Sequence, residues 1–489
     1  MAKNITNHRG LNANQINVKN SLEDFLMVDY TLGLQNEFST MEALINKLST
    51  DTITGKYRTK TFALGITDNI RALGKSNDMY ELDYSDFTRG ADTVEAQFNT
   101  TKLMGFFSIT DETMLLGTTD GSIFDVVRDS LARLEMNLKH TQARFTYGSS
   151  KGSIGLVTLT PDEDKDFYTI KSGDNTFLPT GKKYIECTAK NSHSMLPGMG
   201  VMIKVGKVVE GEGEEATTTY LDPESAAFIA AEAAEDKDTS TLIYVGRIWQ
   251  KFDTDIHAES MYITLDVIKE TGTTTAPTVI PVPEAGAAAR IYSRQLIHDG
   301  VVNAEYTGLE EIVLTKNNKI FNVDRNIYKA LNCTVKDLEN KLLTESTLRD
   351  MADHIALTSP EQASINLMVS NHRIVSTVEK QMYQFKQYSL DTKGNGFQLG
   401  RPNIVFDNFE MMKDKYSRDQ NVYMLDTGKI GELLRKDFAW ITSGRETILE
   451  RRDGTEVYEA IMTKYGDMYI DSFKTHAAFT NAAETVTVA

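Results

Sequence analysis

Between Ser122 and Thr146 the sequence carries a helical hydrophobic repeat longer than the usual three or four turns. Ile123, Val127, Leu131, Leu134 and Leu138 recur every three or four residues and form one apolar stripe. Ser122 and Asp125 have the spacing of a capping box. Asp125 and Asp129 lie near the start, and Lys139, His140 and Arg144 near the end, so both signs complement the helix dipole. Gly148 stops the pattern. At 1.5 Å per residue the helix is about 37 Å long. A rod of that length is a girder and needs cover along its side. A charge at Leu131 or Leu134 is expected to unfold the chain.

The stretch before the helix is strand-rich. Lys60 to Ile66 alternates Thr61, Ala63 and Gly65 against Phe62, Leu64 and Ile66. Residues 93–101 (TVEAQFNTT) and 102–110 (KLMGFFSIT) alternate in the same way. Residues 56–101 therefore read as an extended two-stranded loop with polar faces on both sides. Such a ribbon is marginal alone and gains stability by lying on something else, including another subunit. Ahead of it, residues 1–20 are Asn-rich and aperiodic, a flexible arm, and Ser21 to Leu48 suggests short helices.

Composition narrows the classes. The 489 residues carry 52 basic and 69 acidic side chains, a net charge of −17. That balance disfavours tight general nucleic-acid binding by counterion release. It leaves room for a surface that encloses nucleic acid with little attraction. Cys187 and Cys333 lie far apart, so a disulfide framework is not expected and a reducing compartment fits. The polar N-terminal stretch has no apolar signal core, and no apolar run is long enough to span a membrane.

After Gly148, Gly152 and Gly155, residues 156–290 change character and read as an inserted β-rich domain. Lys183 to Thr188, Gly200 to Val209 and Thr241 to Trp249 are its clearest strands. Glu210 to Glu215 is an acidic solvated loop, and Thr271 to Pro283 a linker. Asp222-Pro223 is read as the cap and first position of a short Ala-rich helix. From 291 onward the pattern is mixed. Thr334 and Asp337 form a capping box ahead of a helix, and Ile374, Val378, Met382 and Phe385 mark another. Asn403 to Phe406 and Val422 to Leu425 are short strands, and a helix is expected near Lys429 to Lys436. Asp453-Gly454 signals a hairpin, Tyr465-Gly466-Asp467 a turn, and Met468 to Thr475 a final strand.

No catalytic motif emerges. Gly181-Lys182 and Gly428-Lys429 lack the upstream glycine of a P-loop. No HExxH occurs among the eight histidines. Asp162, Asp164 and Asp166 begin like a calcium loop, but Phe167 and Gly173 stand where glycine and glutamate are required. His372, beside Arg373, reads as a helix-end polar residue without a paired nucleophile. No enzyme activity and no cofactor are expected. Lys56, Arg58, Lys60, Arg71 and Lys75 cluster in the ribbon. They read either as a solvated edge that resists aggregation or as contacts to an acidic neighbouring subunit.

In order, these parts resemble the major capsid proteins of tailed bacteriophages with the HK97 fold. Lys102-Leu103, Ser108-Ile109-Thr110 and Glu112 fit the segment before that family's spine helix, and Gly148, Gly152 and Gly155 fit the glycine exit. GLEEIVLTKNNKIFNVDR (308–325) is similar to the way into its A-domain, and NIVFDNF, NVYMLD and the DG hairpin to its closing strands. The resemblance implies an α+β fold: an N-terminal arm (1–50), an extended E-loop (51–101), a P-domain segment with the spine helix (102–155), the inserted domain (156–290), and an A-domain with returning P-domain strands (291–489). It implies a structural subunit that self-assembles into pentamers and hexamers of an icosahedral shell around double-stranded DNA, located in the virion and assembled in the bacterial cytoplasm. Implied partners are further copies of the chain, a portal, a separate scaffolding or decoration protein, and DNA in weak contact. An encapsulin-like shell around protein cargo and a phage ring protein are the alternatives.

Overall fold

A computed structural model describes residues 44–64, 93–110, 122–160, 168–169, 183–189, 195–210, 217–232, 237–255, 258–271, 287–293, 305–359, 365–383, 405–406, 409–418, 420–441, 449–451 and 454–483. The expected arm, most of the N-terminal helices, the far part of the ribbon, the acidic loop, the linker and the aspartate run at 162–166 lie outside them.

The helix runs Ser122–Tyr147 and ends at Gly148, whose amide donates to the Phe145 carbonyl at 3.0 Å. It packs on a five-stranded sheet whose central strand is Val457–Ile470. One edge of that strand pairs antiparallel with Thr101–Thr110. The other pairs with Ile430–Trp440 and Glu450–Arg451, and Ser49–Thr52 joins Ile430–Trp440 in parallel. Leu138 and Phe145 meet Leu103, Met462 and Tyr306 in one buried cluster, with Leu134, Phe438 and Trp440 at its margin. The helix lies so close to the sheet that a Cβ on Gly105 would sit 2.7 Å from Leu138 and 2.9 Å from Leu134. Leu131 is only partly covered. From Leu138 onward burial spreads round the helix and takes in His140, Gln142, Arg144 and Thr146.

A second, six-stranded sheet runs in the order Thr334–Asp337, Ala477–Thr480, Val422–Leu425, Leu367–Ser370, Phe409–Lys413, Val405–Phe406. Helices Glu345–Thr358 and His372–Tyr383 cover one face through Leu348, Met351, Ile355, Ile374 and Val378. The other face, with Leu367, Val369, Tyr423 and Leu425, belongs to the central core. Burial on both faces explains why these strands are continuous apolar runs.

The block at 153–293 forms an eight-stranded antiparallel sheet. Ser153–Thr160, Lys183–Ala189, Ala258–Thr271, Lys237–Asp255, Gly200–Glu210 and Ala288–Ser293 pair in a ring, each with the next and the last with the first. The ring is a closed barrel, an arrangement without open edges. Ile154, Leu159, Ile185, Val201, Ile203, Leu242, Tyr244, Ile263 and Ile291 fill its own core. Both ends of the block meet where the Ser293 amide donates to the Gly152 carbonyl at 2.9 Å.

Several local expectations change. The short helix is Ala226–Glu232, and Ser225 caps it by accepting from the Phe228 amide at 3.2 Å. Asp222 turns instead to Arg290, at 2.6 Å. Thr334–Asp337 is a strand held by Ala477–Thr480, and the following helix is capped by Thr344. Lys429 to Lys436 is not helical, because Ile430–Trp440 is claimed by strand partners on both edges. Tyr465-Gly466-Asp467 is no turn but the middle of the central strand. Gly466 is there for close packing: a Cβ would meet the Glu432 carboxylate at 3.0 Å and the Tyr306 hydroxyl at 3.2 Å. The last strand among the described residues is Ala477–Thr480. Glu450–Arg451 folds back on Val457–Ile470, and Gly454 takes φ 76° in that connection, as the hairpin signal requires.

Candidate functional site

The features that bear on function are the base of the ribbon and the buried end of the long helix. Arg58–Ala63 pairs antiparallel with Thr93–Phe98, from Arg58 opposite Phe98 to Ala63 opposite Thr93. The expectation of two polar faces fails here. Phe62, Ala96 and Phe98 enter the central core. The Phe62 ring lies 5.5 Å from Phe473, and Phe98 lies 4.5 Å from Phe321. The Gln97 amide donates to the Phe321 carbonyl at 2.8 Å. The ribbon base is therefore clamped onto its own chain.

The five basic candidates part company. Lys56 is exposed in the turn before the ribbon. Arg58 pairs with Asp51 and lies 5.5 Å from the Tyr469 ring centre. The hydrogen bond from Arg58 holds the Asp51 carboxyl below its ordinary range. Lys60 pairs with Asp471. Both ion pairs are within the chain. Arg71 and Lys75 lie outside the described residues.

At its C-terminal half the helix is locked to three other parts of the chain. Gln142 donates to Glu432 at 2.8 Å, and Lys464 reaches the same carboxylate at 2.9 Å. Arg144 binds both oxygens of Glu305, at 2.9 and 3.4 Å, with each side chain about 5% exposed. Tyr147 donates to Asp414 at 2.8 Å. Pairing matters because a buried charge without a partner is costly. Next to this network Arg418 bridges Glu310 and the Ser153 carbonyl, so the root of the barrel is tied in as well. In the sequence Arg144 reads only as a charge that complements the helix dipole, and Gln142 and Tyr147 carry no signal of these locks.

Electrostatics follow burial. His140 lies 5.1 Å from the Tyr416 ring, and burial, then Lys415 and Arg144, lowers its pKa to about 4. It is neutral at neutral pH and does not complement the helix dipole as expected. His476 is driven down to about 3 by burial, and its Nδ1 accepts from the Asp426 amide at 3.2 Å. Asp467 is raised to about 7 by burial although Thr101, Thr307 and Met468 all donate to it. Burial also raises the pKa of both free thiols, Cys187 and Cys333. His372 opens its helix with its side chain exposed, and partial desolvation, then Lys413, lowers its pKa. Among the described residues no group of three His, Cys, Asp or Glu side chains is placed to hold a metal ion, and no helix is long and apolar enough to cross a membrane.

No protein-family model and no curated protein sequence matches the chain. Solved structures do. A chain of the cyanophage A-1(L) capsid asymmetric unit aligns over 95% of this chain and 99% of its own length, with a TM-score of 0.50 at 8% identity. The chain thus has the fold of a phage capsid protein. Weaker likenesses extend to the SrpI encapsulin complex of Synechococcus elongatus PCC 7942 (TM-score 0.42, 6% identity, 95% and 96% covered). The capsid of a native GTA particle is similar at TM-score 0.41 and 10% identity, with 96% and 100% covered.

Proposed function

We propose that the chain is the structural subunit of an icosahedral viral shell, built on the HK97 plan, which assembles as pentamers and hexamers around double-stranded DNA. The observation that carries this reading is the end-to-end likeness of the fold to a phage capsid chain. In this reading the Ser122–Tyr147 helix is the spine, the five-stranded sheet its P-domain partner, and the six-stranded sheet with its two helices the A-domain. The barrel at 153–293 is an insertion whose paired ends leave that plan undisturbed.

Among the described residues the ribbon is clamped at its base, and residues 64–92 are its extension in the sequence. We assign that extension to an adjacent subunit, with Lys56, Arg71 and Lys75 as contacts to a neighbour whose net charge of −17 is attractive to them. The same acidic balance suits a wall that holds DNA weakly. A portal and a separate scaffolding or decoration protein complete the assembly. Deletion of residues 68–90 keeps the Phe62 and Phe98 clamp. It is expected to leave a folded monomer that no longer forms shells in electron micrographs. Intact shells from that deletion would contradict the role given to the ribbon.

A further inference from the structure

We infer that Thr101–Thr110 is a contact between two copies of this chain, each adding its strand antiparallel to the other across a two-fold axis. One edge of this ten-residue strand is filled by Val457–Ile470. Among the described residues its other edge has no strand partner. Unpaired edges of that length are templates for strand addition unless charge, proline or a bulge blunts them. This one has no proline and a single charge, Lys102. Its outer face exposes Met104 and Phe106, which are 53% and 51% exposed.

The occupant follows from charge and register. Two copies that each carry −17 meet with least local repulsion where carboxylates are absent, and the strand TKLMGFFSIT contains none. A two-fold that keeps both long helices on the same side of the joined sheet requires opposite residues to share a face. Two registers meet that condition with the greatest overlap, one centred on Gly105 and one on Phe106. Centring on Gly105 sets Met104 opposite Phe106 of the second copy, twice, and Lys102 opposite Ser108. Centring on Phe106 makes only one apolar pair on that face. Sulfur–aromatic and other apolar cross-strand pairs each add stability, so the Gly105 register is the one assigned. The interface is isologous, the form that two identical chains share most often.

This inference deepens the shell reading by naming one of its contacts, and one experiment separates the two. Full-length protein is prepared as Met104→Cys, Phe106→Cys and the double variant, then mildly oxidised. Both positions are exposed, and the native cysteines are buried, so fold and background are undisturbed. In the assigned register only the double variant places two thiols directly opposite, within disulfide range. It is expected to give a linked dimer at twice the 54.7 kDa chain mass, with neither single variant doing so. Equal linking by a single variant would overturn the register. An unlinked double variant would overturn the pairing, and if its micrographs still show shells, the shell reading survives that loss.

Discussion

Gly105 shows how much a single residue decides here. The helix rests on the bare backbone of the Thr101–Thr110 strand, with Leu138 and Leu134 filling the space a side chain would take. Gly105→Val is expected to destabilise the fold by about 1–3 kcal/mol, the range for overpacking a filled core, and chemical denaturation would measure it. The two buried histidines set an acid limit. His140 and His476 have folded pKa values of about 4 and about 3, below the ordinary 6.5. A depressed pKa gives stability that is fully present above 6.5 and is lost as pH falls through the folded value. Asp467 acts oppositely: raised to about 7 from 3.8, its contribution is complete below 3.8 and is lost as pH rises through 7. Thermal melting between pH 7 and 4 should therefore show a steeper acid-side loss in the natural protein than in His140→Gln. Equal slopes would show that His140 is not buried neutral.

At the scale of elements, the stripe read from the sequence needs redistribution. Leu138 is 5% exposed and sits in the cluster under the helix, whereas Leu131 is only partly covered. Leu138→Asp should unfold the chain, a cost on the order of 4 kcal/mol or more for a buried unpaired charge, while Leu131→Asp should keep its circular dichroism spectrum. The opposite pattern would mean the helix is rotated. The helix itself, its glycine stop, the barrel strands and the Val422–Leu425 strand were legible, because period and turn chemistry act locally. Ile430–Trp440 was not, since its partners Ser49–Thr52 and Val457–Ile470 come from distant sequence and outweigh local propensity. The Tyr465-Gly466-Asp467 turn failed for the same reason: Gly466 answers to Glu432 and Tyr306 across the sheet. Of the five basic candidates, charge pattern alone could not reveal that Asp51 and Asp471 would fold back onto Arg58 and Lys60.

For the whole molecule, the described parts add up to a braced framework. One long helix is pinned to the sheets by Gln142, Arg144 and Tyr147, and a ribbon is clamped at its base. A closed barrel is attached through adjoining ends. Buried ion pairs at the junctions resist relative movement of these parts, because breaking one strands a charge in the interior. In the proposed shell, neighbouring subunits supply the contacts for residues 64–92 and for the Thr101–Thr110 strand edge. The most direct measurement is electron microscopy of the purified, unmodified chain, alone and with the other products of a packaging system. Closed shells or curved sheets with five-fold and six-fold clusters are predicted. A monodisperse monomer, or a single ring of fixed symmetry, would contradict the reading of this chain as a shell subunit.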